Sequence, residues 1–412
     1  MNLIKDVVIV GGGPVGLYLA GSLARSGLEV LTIEKKKEIG EDIICTGIIG
    51  QEAFTKFQLA PSSIDHALQD VELFSSAGGR IKYHHPFPFA YVVDRKVFDQ
   101  SLARRAQDVG VEILTGLEVK EIIPSPTKVK IVAQGPENQM NFFQAKICVL
   151  ATGNNFYLHQ QLGLGKPSQF VLGRQVDLVA EQSAPARLCL GKAFSPDGFA
   201  WQIPFKEKGW KIGLLTSSDP RPYLRKILKS FFPLIPGSEN NNLPPLSTKA
   251  IAQGIVSPSF ANRILAVGEA AGQVKTTTGG GVFYGLVGAQ LAEETILEAF
   301  QRGVYDESLL SGYEKRWRER LESEIRIGLI MRKVYSLLND KDVNLLFQIA
   351  REDGILPLIQ DQGNFDWHSG LIMSLIRHLY HYPHRIPAFI HLSREIWQKT
   401  KYITSGEAFP KP

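Results

Sequence analysis

One segment near the amino terminus restricts the fold more than any other. Residues 6–10, Asp-Val-Val-Ile-Val, form a short β-branched run of the kind buried in parallel sheets. Gly11-Gly12-Gly13-Pro14-Val15-Gly16 follows at once. Leu17, Leu19, Ala20, Leu23 and Ala24 then fall at helical spacing, and Gly27 marks the end of that helix. Residues 28–33 read as a second apolar strand with Glu34 at its end. This is Gly-x-Gly-x-x-Gly inside a strand–helix–strand unit, with an acid at the roughly 20-residue spacing that suits a ribose. Gly11 allows the tight turn, Gly13 lets a pyrophosphate approach bare backbone, and Gly16 lets helix and strand pack closely. The helix start offers free N–H groups and a partial positive charge to phosphates. Gly11, Gly13, Pro14 and Gly16 are therefore candidate cofactor-binding residues. Glu34 suits the ribose hydroxyls and repels a 2′-phosphate, which favours FAD or NAD over NADP. Lys35 beside it weakens that exclusion, since a lysine there can meet a phosphate.

Composition sets the outer bounds. A chain of 412 residues suggests two or three domains with large cores. Charged residues at 21% and hydrophobic ones at 44% describe an ordinary folded protein. A net charge of +5 without a basic stripe argues against nucleic acid as a partner. Three widely spaced cysteines, Cys45, Cys148 and Cys189, indicate a reducing compartment and no zinc motif. Cys148 and Cys189 fall in expected strands and read as core. No run reaches the roughly 18 apolar residues of a membrane helix, and Asp6 and the glycines break any secretory signal. The expected location is cytoplasmic.

Later segments narrow the cofactor to FAD. Residues 146–150 form another apolar strand, closed by Ala151-Thr152-Gly153. Residues 263–267 form a further strand, followed by Gly268-Glu269-Ala270-Ala271-Gly272. The chain then runs through Thr276-Thr277-Thr278 to Gly279-Gly280-Gly281 and an apolar helix from Val282 to about Phe300. The triple glycine is a second anion-seeking site, able to face the pyrimidine edge of a flavin and stabilise negative charge on the reduced ring.

This arrangement resembles the flavoprotein superfamily of p-hydroxybenzoate hydroxylase and glutathione reductase, and within it the geranylgeranyl reductase family. The matching residues are Gly11–Gly16 with Glu34, Asp94-Arg95-x-x-Phe98-Asp99, Ala151-Thr152-Gly153 and Gly268 through Gly281. Phe199-Ala-Trp201-Gln-Ile203-Pro204 and Ile212-Gly213-Leu214 are similar to that family's Tyr-x-Trp-x-Phe-Pro and Gly-x-Gly elements. The resemblance implies that Ala151, Gly153, Gly268, Glu269, Gly279, Gly280 and Gly281 hold FAD, and that Arg95 lies near the flavin or its pyrophosphate. The alternative for Arg95 is a surface ion pair with Asp99. It also implies that Cys45, Thr46 and Gly47 line the ring's edge, and that Phe199, Trp201 and Ile203 line the substrate chamber. Glu269 stands where the family has Asp, Thr276 where it often has Pro, and Leu215 where its second glycine falls.

The expected architecture is α/β. A Rossmann-type FAD-binding domain with a parallel sheet takes residues 1–70, 94–160 and 255–300. An inserted mixed or antiparallel sheet for substrate takes 71–93 and 161–254, and a helical region takes 301–412. Residues 231–260, rich in proline, read as a loop or crossover. After Gly370 the chain is basic, with Leu371, Ile372, Leu375, Ile376, Leu379 and Tyr380 interleaved. That pattern fits a peripheral membrane contact or a packed helix with a solvated face. His378, His381 and His384 do not read as a metal site, because Pro383 breaks their spacing and no carboxylate joins them.

The resemblance implies an FAD-dependent reductase in which reduced flavin delivers hydride to a C=C of a prenyl lipid. Cys45 or Tyr284 would supply the proton, and NAD(P)H or ferredoxin the electrons. A flavin monooxygenase or halogenase is the alternative, because Phe199-x-Trp201-x-Ile203-Pro204 also resembles the halogenase Trp-x-Trp-x-Ile-Pro element. A non-catalytic or RNA-modifying flavoprotein is a third reading.

Overall fold

The β-branched run at the amino terminus becomes the strand Lys5–Val10, with Val7, Val8 and Ile9 fully buried. The glycines end it, and the helix Pro14–Arg25 starts with proline in its first turn. Ser26 and Gly27, the latter at φ +90°, turn the chain out of the helix and into the strand Val30–Ile33. The computed structural model describes residues 4–179, 185–206, 209–231, 247–352 and 355–380.

The chain divides into two units. The first comprises Met1–Ala67, Ala90–Phe170 and Ala250–Ile325. Its main sheet has the strand order Phe260–Ala261, Ile264–Ala266, Met140–Leu150, Lys5–Val10, Val30–Ile33, Glu112–Leu114. All pairings are parallel except the first, with Val7 facing both Ile147 and Val30, and Cys148 facing Ile264. Met140–Leu150 serves two partners. Its beginning pairs antiparallel with Val129–Gln134, and its end pairs parallel with the first strand. Val8, Val10, Leu31, Ile33, Cys148, Leu150, Ile264 and Ala266 share one core. The Cys148 thiol lies in it, and burial pushes its pKa up. This is the expected α/β cofactor fold.

The second unit comprises Leu68–Phe89, Val171–Lys249 and Arg326–Pro412. Its sheet runs in the order Ser247–Gln253, Gln169–Val179, Gly209–Thr216, Phe199–Phe205, Ala186–Leu190, Asp70–Ser75, Arg80–His84. From Gln169–Val179 to Arg80–His84, the pairing of Ala186–Leu190 with Asp70–Ser75 is parallel and the others are antiparallel. Val176, Cys189, Ala200, Ile212 and Leu214 meet Leu224, Ile227 and Leu228 of the helix Arg221–Phe231. Burial pushes the Cys189 thiol up to about 12, as fits a core residue. Residues 247–253 depart from the loop expected there and form a strand, because Ser-Thr-Lys-Ala-Ile-Ala-Gln is free of proline.

Helices dominate the described residues after 307, including Glu307–Leu337, Asp340–Glu352 and Ser369–Tyr380. Leu375 and Ile376 pack against Ile349 and Ile355, so part of that apolar stripe is core. His381, His384 and the rest of the basic tail lie outside the described residues. No helix among the described residues is long and apolar enough to cross a membrane.

Candidate active site

Four adjacent parallel strands of the first unit end at one edge of the sheet, and a motif follows each of them. Gly11–Gly16 follows Lys5–Val10, Glu34 follows Val30–Ile33, Ala151–Gly153 follows Met140–Leu150, and Gly268–Glu269 follows Ile264–Ala266 closely. Ligands of open α/β sheets bind at this carboxyl edge. The sequence separates these segments by more than two hundred residues, and the sheet brings them together.

The glycines show what the edge is shaped for. Gly11 sits at φ +117°, and a Cβ there would stand 2.3 Å from the Ala151 carbonyl oxygen. A Cβ on Gly16 would stand 2.3 Å from the Gly11 carbonyl oxygen. These two glycines are required by the fold itself. Gly13 differs, because a Cβ there would meet nothing within 4 Å. The space beside its backbone is open, as a pyrophosphate needs. Gly13 also caps the helix without a side-chain hydrogen bond, which leaves the first-turn N–H groups to a ligand. Glu34 is aimed at this loop. Its carboxylate accepts from the Gly12 N–H at 2.6 Å and the Lys36 N–H at 2.9 Å. Lys35 is exposed, whereas Lys36 donates to the carbonyls of Glu41 and Asp42.

The second glycine cluster folds against the first. Val15 packs between Gly268 and Gly285, where added Cβ atoms would stand 3.3 Å and 2.4 Å from its methyl groups. Gly268 lies at φ +69°, and its N–H donates to Gln273 Oε1, which is fixed in turn by the Tyr313 hydroxyl. Glu269 reaches back to accept from the Ala252 N–H at 3.1 Å and lies near Gly153, itself at φ +61°. Gly281 caps the 21-residue helix Val282–Arg302, again with no side-chain bond. Both helix starts at this edge are thus bare, an arrangement suited to an anionic dinucleotide with phosphates at one end. The residues present fit FAD.

Cys45, Thr46, Gly47 and Arg95 form a further group. Gly47 lies at φ +81°, with its N–H 3.3 Å from Cys45 Sγ and its carbonyl accepting from the Val93 N–H. A Cβ on Gly47 would stand 3.6 Å from Arg95 Cγ. Asp94 caps the helix Arg95–Gln107 by accepting from the Lys96 and Val97 N–H groups. One turn on, Asp99 holds the Arg95 guanidinium with two bonds of 3.1 Å. The ion pair with Asp99 is present but is not on the surface, since the two side chains are 12% and 4% exposed. Burial opposes the arginine's charge, but Asp99 and the neighbouring Cys45 sulfur more than offset it and push its pKa up. Cys45 therefore sits beside a permanent cation.

Tyr284 is 1% exposed, and its hydroxyl lies 3.4 Å from the Glu324 carboxylate. The structure thus places the two proton-donor candidates in different settings, Cys45 against Arg95 and Tyr284 against Glu324. Phe199, Trp201 and Ile203 lie on one face of a single strand in the second unit. The Phe199 and Trp201 rings stand 5.8 Å apart. Trp201 lies across Gly213, where a Cβ would be 2.5 Å from its ring, and its buried indole N–H has no acceptor among the described residues.

Sequence reasoning missed two residues of the first unit and the depth of a third. Asp99 was visible as an acid one turn from Arg95, but its depth was not. His159 is fully buried and its Nε2 bonds the Ala270 carbonyl at 2.9 Å, a pairing 111 residues long that no local pattern announces. Lys275 is buried within the glycine loop. Its signal was its isolation as the one charged residue between Glu269 and Glu293.

Comparison with known proteins agrees with this geometry. Residues 5–155 match the family described as pyridine nucleotide-disulphide oxidoreductase. The chain is 27% identical over 360 residues to digeranylgeranylglycerophospholipid reductase 2 of Methanothermobacter thermautotrophicus, covering 83% of this chain and 91% of that one. It is 28% identical over 375 residues to the digeranylgeranylglycerophospholipid reductase of Methanosarcina acetivorans, covering 85% and 90%. Among solved structures, a geranylgeranyl bacteriochlorophyll reductase-like protein of Thermoplasma acidophilum shares the fold. It has a TM-score of 0.80 at 22% identity and covers 94% of this chain and 99% of that one. The p-nitrophenol 4-monooxygenase of Pseudomonas putida follows at 0.70 and 19%, covering 89% and 99%. Fold, cradle and relatives define an FAD-dependent oxidoreductase. Within that class the chain is similar to proteins named digeranylgeranylglycerophospholipid reductase.

Proposed function

We propose that this protein reduces the isolated double bonds of a prenyl-chain lipid, using FAD. The observation that carries the reading is the joint one. The carboxyl edge of the parallel sheet is built for a dinucleotide, and relatives named for reduction of a digeranylgeranyl lipid align along more than four-fifths of the chain. Bound FAD supplies the hydride chemistry that no side chain can. The residues supply the rest. Gly11, Gly13, Pro14 and Gly16 receive the pyrophosphate, Glu34 the ribose, and Gly153, Glu269 and Gly279–Gly281 the remainder of the cofactor. Reduction of an alkene needs a proton at the second carbon, and Cys45 is the donor we favour. Its sulfur is oriented by the Gly47 N–H, and Arg95 stands ready to stabilise the thiolate left behind. Phe199, Trp201 and Ile203 offer an apolar and aromatic surface to the prenyl chain. NAD(P)H or reduced ferredoxin provides the electrons.

The test is anaerobic incubation of the FAD-loaded protein with a digeranylgeranyl glycerophospholipid and dithionite, followed by mass spectrometry. The expected product gains two hydrogens per double bond, and Cys45→Ala slows its formation at least tenfold. An unchanged lipid, together with oxygen-dependent hydroxylation or halogenation of an aromatic substrate, would replace this reading by that of the monooxygenase neighbours.

A further inference from the structure

The strand Ser247–Gln253 ends on a buried amide that the fold does not use. Gln253 is fully buried, and neither its Oε1 nor its Nε2 has a hydrogen-bond partner. Among the described residues it is the one side chain that leaves two polar atoms unpaired in this way. An amide taken out of water without partners is costly, and buried polar groups almost always find one. The backbone around Gln253 is held to the cofactor edge on both sides. Before it, the Ala250 carbonyl accepts from Asn154 Nδ2 at 2.7 Å, and the Ala252 N–H donates to Glu269 Oε1 at 3.1 Å. After it, the Gly254 carbonyl lies against Gly272, where a Cβ would stand 2.2 Å from its oxygen, and Gly272 takes φ +74°. The Gln253 carbonyl itself accepts from Ser168 Oγ at 3.1 Å. These contacts fix the residue beside the turn Gly268–Gly272. That turn packs on Val15 behind the fingerprint glycines and leads on to Gly279–Gly281.

We propose that Gln253 is a further FAD-binding residue and that its carboxamide holds the ribityl chain of the cofactor. The ribityl chain is the part of FAD between the pyrophosphate, received at Gly11–Gly16, and the ring, received at Gly279–Gly281, and the turn beside Gln253 joins those two segments. Its hydroxyls both donate and accept, as an amide with an unpaired NH2 and an unpaired oxygen requires, whereas a phosphate only accepts. The buried amide is therefore a cost to the empty protein that the bound cofactor removes. The inference rests on the reading of this edge as the FAD site.

The experiment compares wild type with Gln253→Leu and Gln253→Met, which keep the bulk of the side chain and lose its polar atoms. Three quantities are read for each: the melting temperature of the apoprotein, the affinity for FAD, and the affinity for ADP, which has the adenosine and phosphates but no ribityl flavin. Both variants are expected to melt at or above the wild-type temperature without FAD, because an unpaired amide has gone. Their FAD affinity falls about tenfold or more through the lost hydrogen bonds, while ADP binds within about threefold of wild type. FAD held by the variants keeps the wild-type visible spectrum, since the lost contact is not to the ring. Wild type that refuses FAD would overturn the cofactor reading itself. Variants that bind FAD as tightly as wild type, or apoproteins that melt lower, would show that water or the protein satisfies the amide, and would overturn the role of Gln253 alone. Equal losses for FAD and ADP, or a shifted spectrum, would remove the ribityl chain as its partner. If one variant fails to fold, the other decides the question.

Discussion

Gly11 and Gly13 stand two residues apart and serve opposite masters. Gly11 has a positive φ and the Ala151 carbonyl oxygen 2.3 Å from any Cβ, so the fold cannot accept a side chain there. Gly13 caps its helix at an ordinary φ of −80° with empty space beside it, so only a ligand objects to a side chain. Gly11→Ala is expected to destabilise the apoprotein by about 2 kcal/mol or more, through strain and collision. Gly13→Ala is expected to leave apoprotein stability within about 0.5 kcal/mol while weakening FAD at least tenfold. Urea unfolding and FAD titration of both variants check this. A Gly13 variant that binds FAD normally would remove the phosphate from this loop. These two roles were legible in the sequence because a turn, a φ and a spacing are local properties. The partner of Glu269 was not. It is the N–H of Ala252, presented by a strand that read as loop, and long-range pairing leaves no trace in local pattern.

At the scale of elements, the helix Arg95–Gln107 carries the clearest consequence. Its start is capped by Asp94, as is common where an Asp precedes a helix. Its depth was not legible in the sequence, because Arg and Asp four residues apart normally mark a solvated face. Here that face is turned inward, towards Cys45 and Gly47. Removing Asp99 leaves a buried guanidinium uncompensated, and the expected cost of Asp99→Ala is about 3 kcal/mol. The solvent-facing i,i+4 pair Arg302–Glu298 provides the control, and its loss is expected to cost far less. Chemical denaturation of both variants distinguishes them. Equal losses would show that the Arg95 pair is solvated in solution. The Ser369–Tyr380 helix teaches the converse lesson. Its apolar stripe allowed a membrane or a core, and contact of Leu375 and Ile376 with Ile349 and Ile355 is a tertiary fact that amphipathicity alone cannot supply.

Over the whole molecule, burial of titratable groups sets how stability responds to pH, and the groups act in opposite directions. His159 is fully buried and its pKa is lowered from 6.5 by that burial, only partly opposed by its bond to the Ala270 carbonyl. The folded state keeps it neutral while the unfolded chain takes up a proton. Stability is therefore full above pH 6.5 and declines as pH falls below that value, by at most about 1.4 kcal/mol per pH unit. Glu293 works against this slope. Burial raises its pKa from 4.5, so the folded state holds its proton longer, and the stability it contributes is present at low pH and lost as pH rises through the raised value. Asp197, whose pKa is lowered by bonds from Ser217 and Thr216 that outweigh its burial, loses its contribution only as pH falls below 3.8. Between about pH 5 and 8 the histidine thus governs the downward slope and the glutamate blunts it. The measurement is urea unfolding across that range for wild type and His159→Gln, whose amide can still donate to Ala270. The difference between the two curves should be flat above pH 6.5 and should shrink the acid-side loss below it. Parallel curves at every pH would mean that His159 takes its proton in the folded state, and that the loop around Ala270 opens to water before the fold does.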